Sequence, residues 1–83
     1  MNETKQKITV LIRRSGRTEW MRTKSDRTVW EYAHGTVLEV DEATYTEYPN
    51  DAVMLANYSP VRRICIVPKS HVSIIRGSPR RPW

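Results

Sequence analysis

The sequence predicts a small all-β domain, an antiparallel sheet of about six short strands that curls on itself or closes into a partly open barrel. Three observations predict it. Apolar and polar residues alternate with period two over most of the 83 residues, the pattern of half-buried strands. The alternating segments are rich in Val, Ile, Thr, Trp and Tyr, which suit a pleated surface. Pairs such as Ser15-Gly16, His34-Gly35, Pro49-Asn50 and Ser59-Pro60 punctuate them, and such pairs mark turns.

The first strand is expected over 7–14, with Ile8, Val10 and Ile12 on one face and Thr9, Leu11 and Arg13 on the other. Ser15-Gly16 reads as a turn into a second strand over 18–24, and the two read as a hairpin. The segment 25–34 has two readings. With Ser25 as N-cap and Gly35 as stop it is a short helix, which would make the domain α+β. The β-formers Thr28, Val29, Trp30 and Tyr32 favour a strand over 28–33.

Further strands are expected over 36–41, with Leu38 and Val40 inward, then over 43–48 and 52–58. In 63–67 both faces are apolar, Ile64 and Ile66 against Cys65 and Val67, which predicts a central strand covered on both sides. Pro68 ends it because proline cannot donate to a ladder. Lys69-Ser70-His71 is short enough for a single 3₁₀ turn, and 72–76 is the last strand, with Val72 and Ile74 inward. Residues 1–77 read as one domain. Residues 78–83 (Ser-Pro-Arg-Arg-Pro-Trp) lack periodicity and read as a flexible basic tail. The ending over 64–75, an apolar strand, a proline, a short connection and a β-branched strand, resembles the closing segment of SH3-like and Sm-like barrels. That likeness implies fold and not function.

Charge is sorted along the chain. Residues 1–30 carry eight Lys/Arg against three acids, 31–58 carry six acids and no Lys/Arg, and 59–83 carry six Lys/Arg and no acid. Such sorting predicts a surface with a basic end and an acidic end. A single cysteine, Cys65, excludes an intrachain disulfide and suits a reducing compartment. The start of the chain shows no apolar leader and no run is long enough to span a bilayer. A cytoplasmic protein with no membrane partner is therefore expected.

The side chains that could do chemistry are few. His34, Cys65 and His71 lack the paired spacing of a metal site. A Cys65–His71 nucleophile would need an exposed thiol, whereas the flanking Ile64 and Ile66 suggest burial. His34, His71 and Lys69 are the only set for acid–base cleavage of RNA, and histidines beside turns are more often plain surface. Glu39 and Asp41 share a strand face and would more commonly meet water or cross-strand arginines. The three glycines are too widely spaced for a phosphate loop. No enzyme, no metal and no cofactor is predicted.

The basic blocks carry the stronger signal. Arg13, Arg14 and Arg17 surround one turn, Arg62 and Arg63 open a strand, and Lys69, Arg80 and Arg81 follow, with Trp83 at the end. Arginine outnumbers lysine, and its planar fork suits phosphate. Trp20, Trp30 and Tyr32 could stack on unpaired bases, or could fill a core that has no Phe. These nine residues, Arg13 to Trp83, predict a binding module for RNA or single-stranded DNA. The alternative is an inhibitor or adaptor, of the kind small phage effectors provide, that occupies a charged protein partner. Its surface would be a basic patch or the acidic, Tyr-rich patch of Glu39, Asp41, Glu42, Tyr45, Glu47 and Tyr48. A second copy of the chain is a further partner that opposed charge blocks would suit.

Overall fold

The computed structural model describes residues 7–46 and 51–80. The chain forms eight strands: β1 (Ile8–Ile12), β2 (Gly16–Thr23), β3 (Asp26–Tyr32), β4 (Val37–Val40), β5 (Glu42–Tyr45), β6 (Ala52–Asn57), β7 (Arg63–Pro68) and β8 (Val72–Arg76). They make two antiparallel sheets, of three strands in the order β4-β1-β8 and of five in the order β3-β2-β7-β6-β5. The sheets do not close into a barrel. The segment 25–34 is strand β3, not a helix, and Lys69–His71 is a single 3₁₀ turn.

The core lies between the sheets. From the three-stranded sheet come Ile8, Val10, Ile12, Val40 and Val72, and from the larger sheet Tyr32, Ala43, Val53, Leu55, Cys65 and Val67. Each set comes from alternate positions of its strand, as period two requires. Trp20, Trp30, Leu38, Tyr45 and Ile74 pack around its margin. Without Phe, the aromatic bulk comes from a row in which Trp20 and Trp30 centroids are 5.6 Å apart and Trp30 and Tyr32 are 5.0 Å apart.

Two expectations are corrected. The first two strands are not a hairpin. β1 pairs with β4 and β8, and β2 pairs with β3 and β7. The chain crosses from one sheet to the other at Arg13–Ser15 because Ile8, Val10 and Ile12 are buried across the core from β2's own sheet. Gly16 makes the corner possible: a Cβ there would stand 2.6 Å from Cζ of Tyr32. The second correction concerns β7. It is central, third of five, and Cys65 and Val67 are buried, yet Ile66 is 48% exposed. Only one face of that sheet meets the other sheet, so Ile64 and Ile66 line an open outer face.

Because every named pairing is antiparallel, the strand connections fall at two ends of the molecule. At one end lie Arg13–Ser15, Ala33–Thr36 and the 3₁₀ turn Lys69–His71. At the other lie the Lys24-Ser25 turn, Asp41, and Tyr58–Arg62. Of the expected tail, Arg80 runs beside β5. Its N–H donates to Ala43 O at 2.7 Å, and its carbonyl accepts from Tyr45 N at 2.8 Å. Arg81 and Trp83 lie outside the described residues. No helix among the described residues is long and apolar enough to cross a membrane.

Candidate nucleic-acid interface

Three connections are tied together at the Arg13 end. The N–H groups of Arg13 and Arg14 both donate to His71 O, at 2.7 and 3.3 Å. Gly35 N donates to Ile12 O at 2.8 Å, and Ile12 N to Thr36 O at 2.8 Å. His34 N donates to the Ser15 hydroxyl at 3.0 Å. The 3₁₀ turn is held in turn by Lys69 N donating to Asp51 O at 2.6 Å. These bonds satisfy backbone groups that strand ends would otherwise leave unpaired.

The side chains of Arg13, Arg14, Arg17 and Lys69 are exposed around this end. None forms an ion pair among the described residues. Arg13 donates to the Ser73 hydroxyl at 3.2 Å, and Lys69 Nζ lies 5.0 Å from the Tyr45 ring centroid, a cation–π distance. Glu31 stands opposite Arg17 in the β2–β3 ladder, and exposed Asp51 lies nearby, so the positive potential is tempered.

Beneath the cations lies a polar contact between side chains 39 residues apart: the Tyr32 hydroxyl and His71 Nδ1 are 2.7 Å apart. Burial pushes the Tyr32 phenol above its ordinary value. No sequence signal announces this contact, because it depends on the two sheets meeting. Tyr32 is 3% exposed and cannot stack on a base. Trp20 and Trp30 are half-buried in the aromatic row.

Arg62, Arg63 and Arg80 sit at or toward the other end, among carboxylates. Asp41 Oδ1 meets Lys7 Nζ at 3.6 Å, and Asp41 Oδ2 accepts from Tyr58 N at 2.7 Å. Glu42 accepts from the Tyr58 hydroxyl and meets Arg80 Nε at 2.5 Å. The Glu42 hydrogen bond raises the Tyr58 phenol, against smaller opposing effects of Arg62 and Arg80. Asp26 is held low chiefly by its hydrogen bond from Arg22, with a small contribution from Arg63. The three charge blocks therefore do not map onto separate surfaces: Lys7 from the first and Arg80 from the last are folded onto acids of the middle one.

The nine basic and aromatic candidates are thus split. Arg13, Arg14, Arg17 and Lys69 gather at one end, and Arg62, Arg63 and Arg80 lie apart from them. In the acidic patch, Asp41, Glu42 and Tyr45 have partners within the chain, and Glu39 is exposed on β4. Glu47 and Tyr48 lie outside the described residues. Cys65 is buried and its thiol is pushed up to about 12 by desolvation, far from an active thiolate. Among the described residues no three His, Cys, Asp or Glu side chains cluster as metal ligands. A separate groove of about 360 Å³, lined by Met21, Ile64, Ile66 and the Arg27–Glu19 ion pair, opens between β2 and β7, where their ladder has a single pair, Met21 with Ile64.

In comparisons with protein-family models, curated proteins and solved structures, nothing matches this chain.

Proposed function

We propose that this protein is a binding module for RNA or single-stranded DNA, without catalysis, and that the Arg13 end is its contact surface. One observation carries the reading: Arg13, Arg14, Arg17 and Lys69 gather at tied-down connections and, among the described residues, form no ion pair with a carboxylate. Cations held this way gain phosphate contacts and release counterions with little competition from internal pairs. With Tyr32 buried and both tryptophans half-buried in the row, the arginines carry most of the contact, so the module reads backbone more than sequence. Asp41 and Glu42, already partnered, leave less free charge for a basic protein.

The test is fluorescence anisotropy with a labelled single-stranded oligonucleotide across a salt series. Binding should weaken steeply between about 50 and 200 mM salt. The triple variant Arg13→Ala/Arg14→Ala/Arg17→Ala should lose most of it while staying folded. Salt-independent affinity, or a triple variant that binds as the wild type does, rejects the reading. Capture of one protein at equal stoichiometry after nuclease treatment would favour the adaptor alternative.

A further inference from the structure

The five-stranded sheet has two edges, and they are treated differently. Beside β5, the backbone of Arg80 bridges to Thr44 and occupies the edge. Among the described residues β3 pairs with β2 alone, and no other strand of theirs lies beside the outward backbone groups of Asp26–Tyr32. An open edge of this length is a template for another strand.

The side chains of β3 select which strand. Arg27, Val29 and Glu31 alternate on its outer face and all three are exposed, Val29 at 46%. Val29 lies midway between a base and an acid. Antiparallel pairing of β3 with itself about Val29 sets Arg27 opposite the partner's Glu31, Glu31 opposite the partner's Arg27, and the two valines opposite each other. Oppositely charged cross-strand pairs stabilise a ladder and like charges destabilise it. Sliding the register so that Val29 meets either charged residue loses both ion pairs. Sliding it further sets Arg27 against Arg27 or Glu31 against Glu31, and parallel in-register pairing also sets like against like. Inside each copy the charges continue the pattern: Arg17 stands opposite Glu31 and Glu19 pairs with Arg27 at 3.3 Å. The other free edges lack such a code. β4 (VLEV) carries one acid and β8 (VSIIR) one base, so neither can pair opposite charges with itself.

We propose that β3 is a homodimerisation edge, joining two copies antiparallel about Val29 into one continuous sheet held in register by two Arg27–Glu31 pairs. The operation is a two-fold, which closes and does not propagate. Antiparallel pairing sends the two Arg13 ends to opposite poles, so a dimer would present two cationic ends at once.

The test is sedimentation velocity of the full chain over a concentration series reaching about 1 mM, since small interfaces sit at the weak end of association. The wild type should show a monomer–dimer equilibrium. Arg27→Glu and Glu31→Arg should each self-associate at least tenfold more weakly, because each sets like charges opposite. Mixed in equal amounts they should form a heterodimer, since both pairs are then complementary. In a separate measurement that leaves the charges alone, Val29→Cys should give a disulfide-linked dimer on mild oxidation, faster than Val37→Cys on β4. A wild type that stays monomeric throughout, charge variants that associate as the wild type does, a mixture that forms no heterodimer, or equal cross-linking of the two cysteine variants would each overturn the proposal.

Discussion

The two ends of the molecule carry similar kinds of residues and use them differently. At the Arg13 end the connections are stitched by backbone bonds and by the contacts of Tyr32 with His71 and Ser15 with His34, and the guanidinium groups join no ion pair among the described residues. At the Asp41 end the carboxylates are in the network: Lys7 Nζ and Tyr58 N meet the Asp41 carboxylate, and Arg80 and the Tyr58 hydroxyl meet Glu42. The difference teaches that net charge does not locate a binding surface in a chain this small. What locates it is whether the fold has already given the charges partners.

Substitutions at the two ends test that contrast. The largest effects should come from the glycines that let each end close. Gly77→Ala meets Ile8 Cδ1 at 2.7 Å and must also hold an L-residue at φ 94°, so thermal or denaturant unfolding should show a loss of about 2–4 kcal/mol. Gly16→Ala drives a methyl into the Tyr32 ring and should cost about 1–3 kcal/mol, while also breaking the Tyr32–His71 contact. If Gly16→Ala leaves stability unchanged, the corner is looser than the Arg13 end requires.

Next in size is the binding asymmetry. Arg13→Ala/Arg14→Ala/Arg17→Ala should weaken oligonucleotide binding by about tenfold or more, about 1.4 kcal/mol, with the melting temperature nearly unchanged. Arg62→Ala/Arg63→Ala should weaken it less: neither forms an ion pair among the described residues, but Arg63 acts on Asp26 and Arg62 on the Tyr58 phenol that bonds Glu42, so acids stand close to that end. Equal losses for the two variants would erase the distinction between the ends. Tyr32→Phe should cost about 0.5–1.5 kcal/mol, read by denaturant unfolding, because it deletes one part-buried hydrogen bond and keeps the ring.

The smallest effects belong to the ionic end. Arg80→Ala should cost less than about 1 kcal/mol, with the deficit vanishing at high salt. pH separates the networks as well. Asp26 is lowered, so its contribution is complete above the ordinary carboxylate range and is lost as pH falls through its folded value. Tyr32, Tyr58 and Cys65 are raised, so their neutral forms favour the folded state up to about pH 9 and that contribution is lost as pH climbs. Melting curves should therefore fall at both extremes, and Tyr32→Phe should flatten part of the alkaline limb. In the native protein Cys65, 2% exposed, should resist alkylation at pH 8 and react once denaturant unfolds the chain.

Much of the fold was legible in the residues. Alternation placed Ile8, Val10 and Ile12 inward, the β-formers of 28–32 chose strand over helix, and Pro68 ended a strand before a 3₁₀ turn. These are local matters, settled by spacing and by backbone chemistry. The open face of β7 was not legible. Ile64 and Ile66 read as a second buried face, yet a two-sheet stack covers only the inner side of each sheet. The candidate site was half legible: Arg13, Arg14 and Arg17 stand together in sequence, whereas Lys69 and His71 join them only through the β1–β8 pairing.

By itself the sequence determined the strand-forming segments, the faces most of them bury, the lack of an intrachain disulfide, and an excess of arginine near turns. Only the tertiary structure decided which strand lies beside which, and with it which charges are free. The physical reason is that alternation specifies a face but not a neighbour. Whether Arg80 is a ligand-binding cation or the partner of Glu42 depends on a strand pairing that no local pattern encodes.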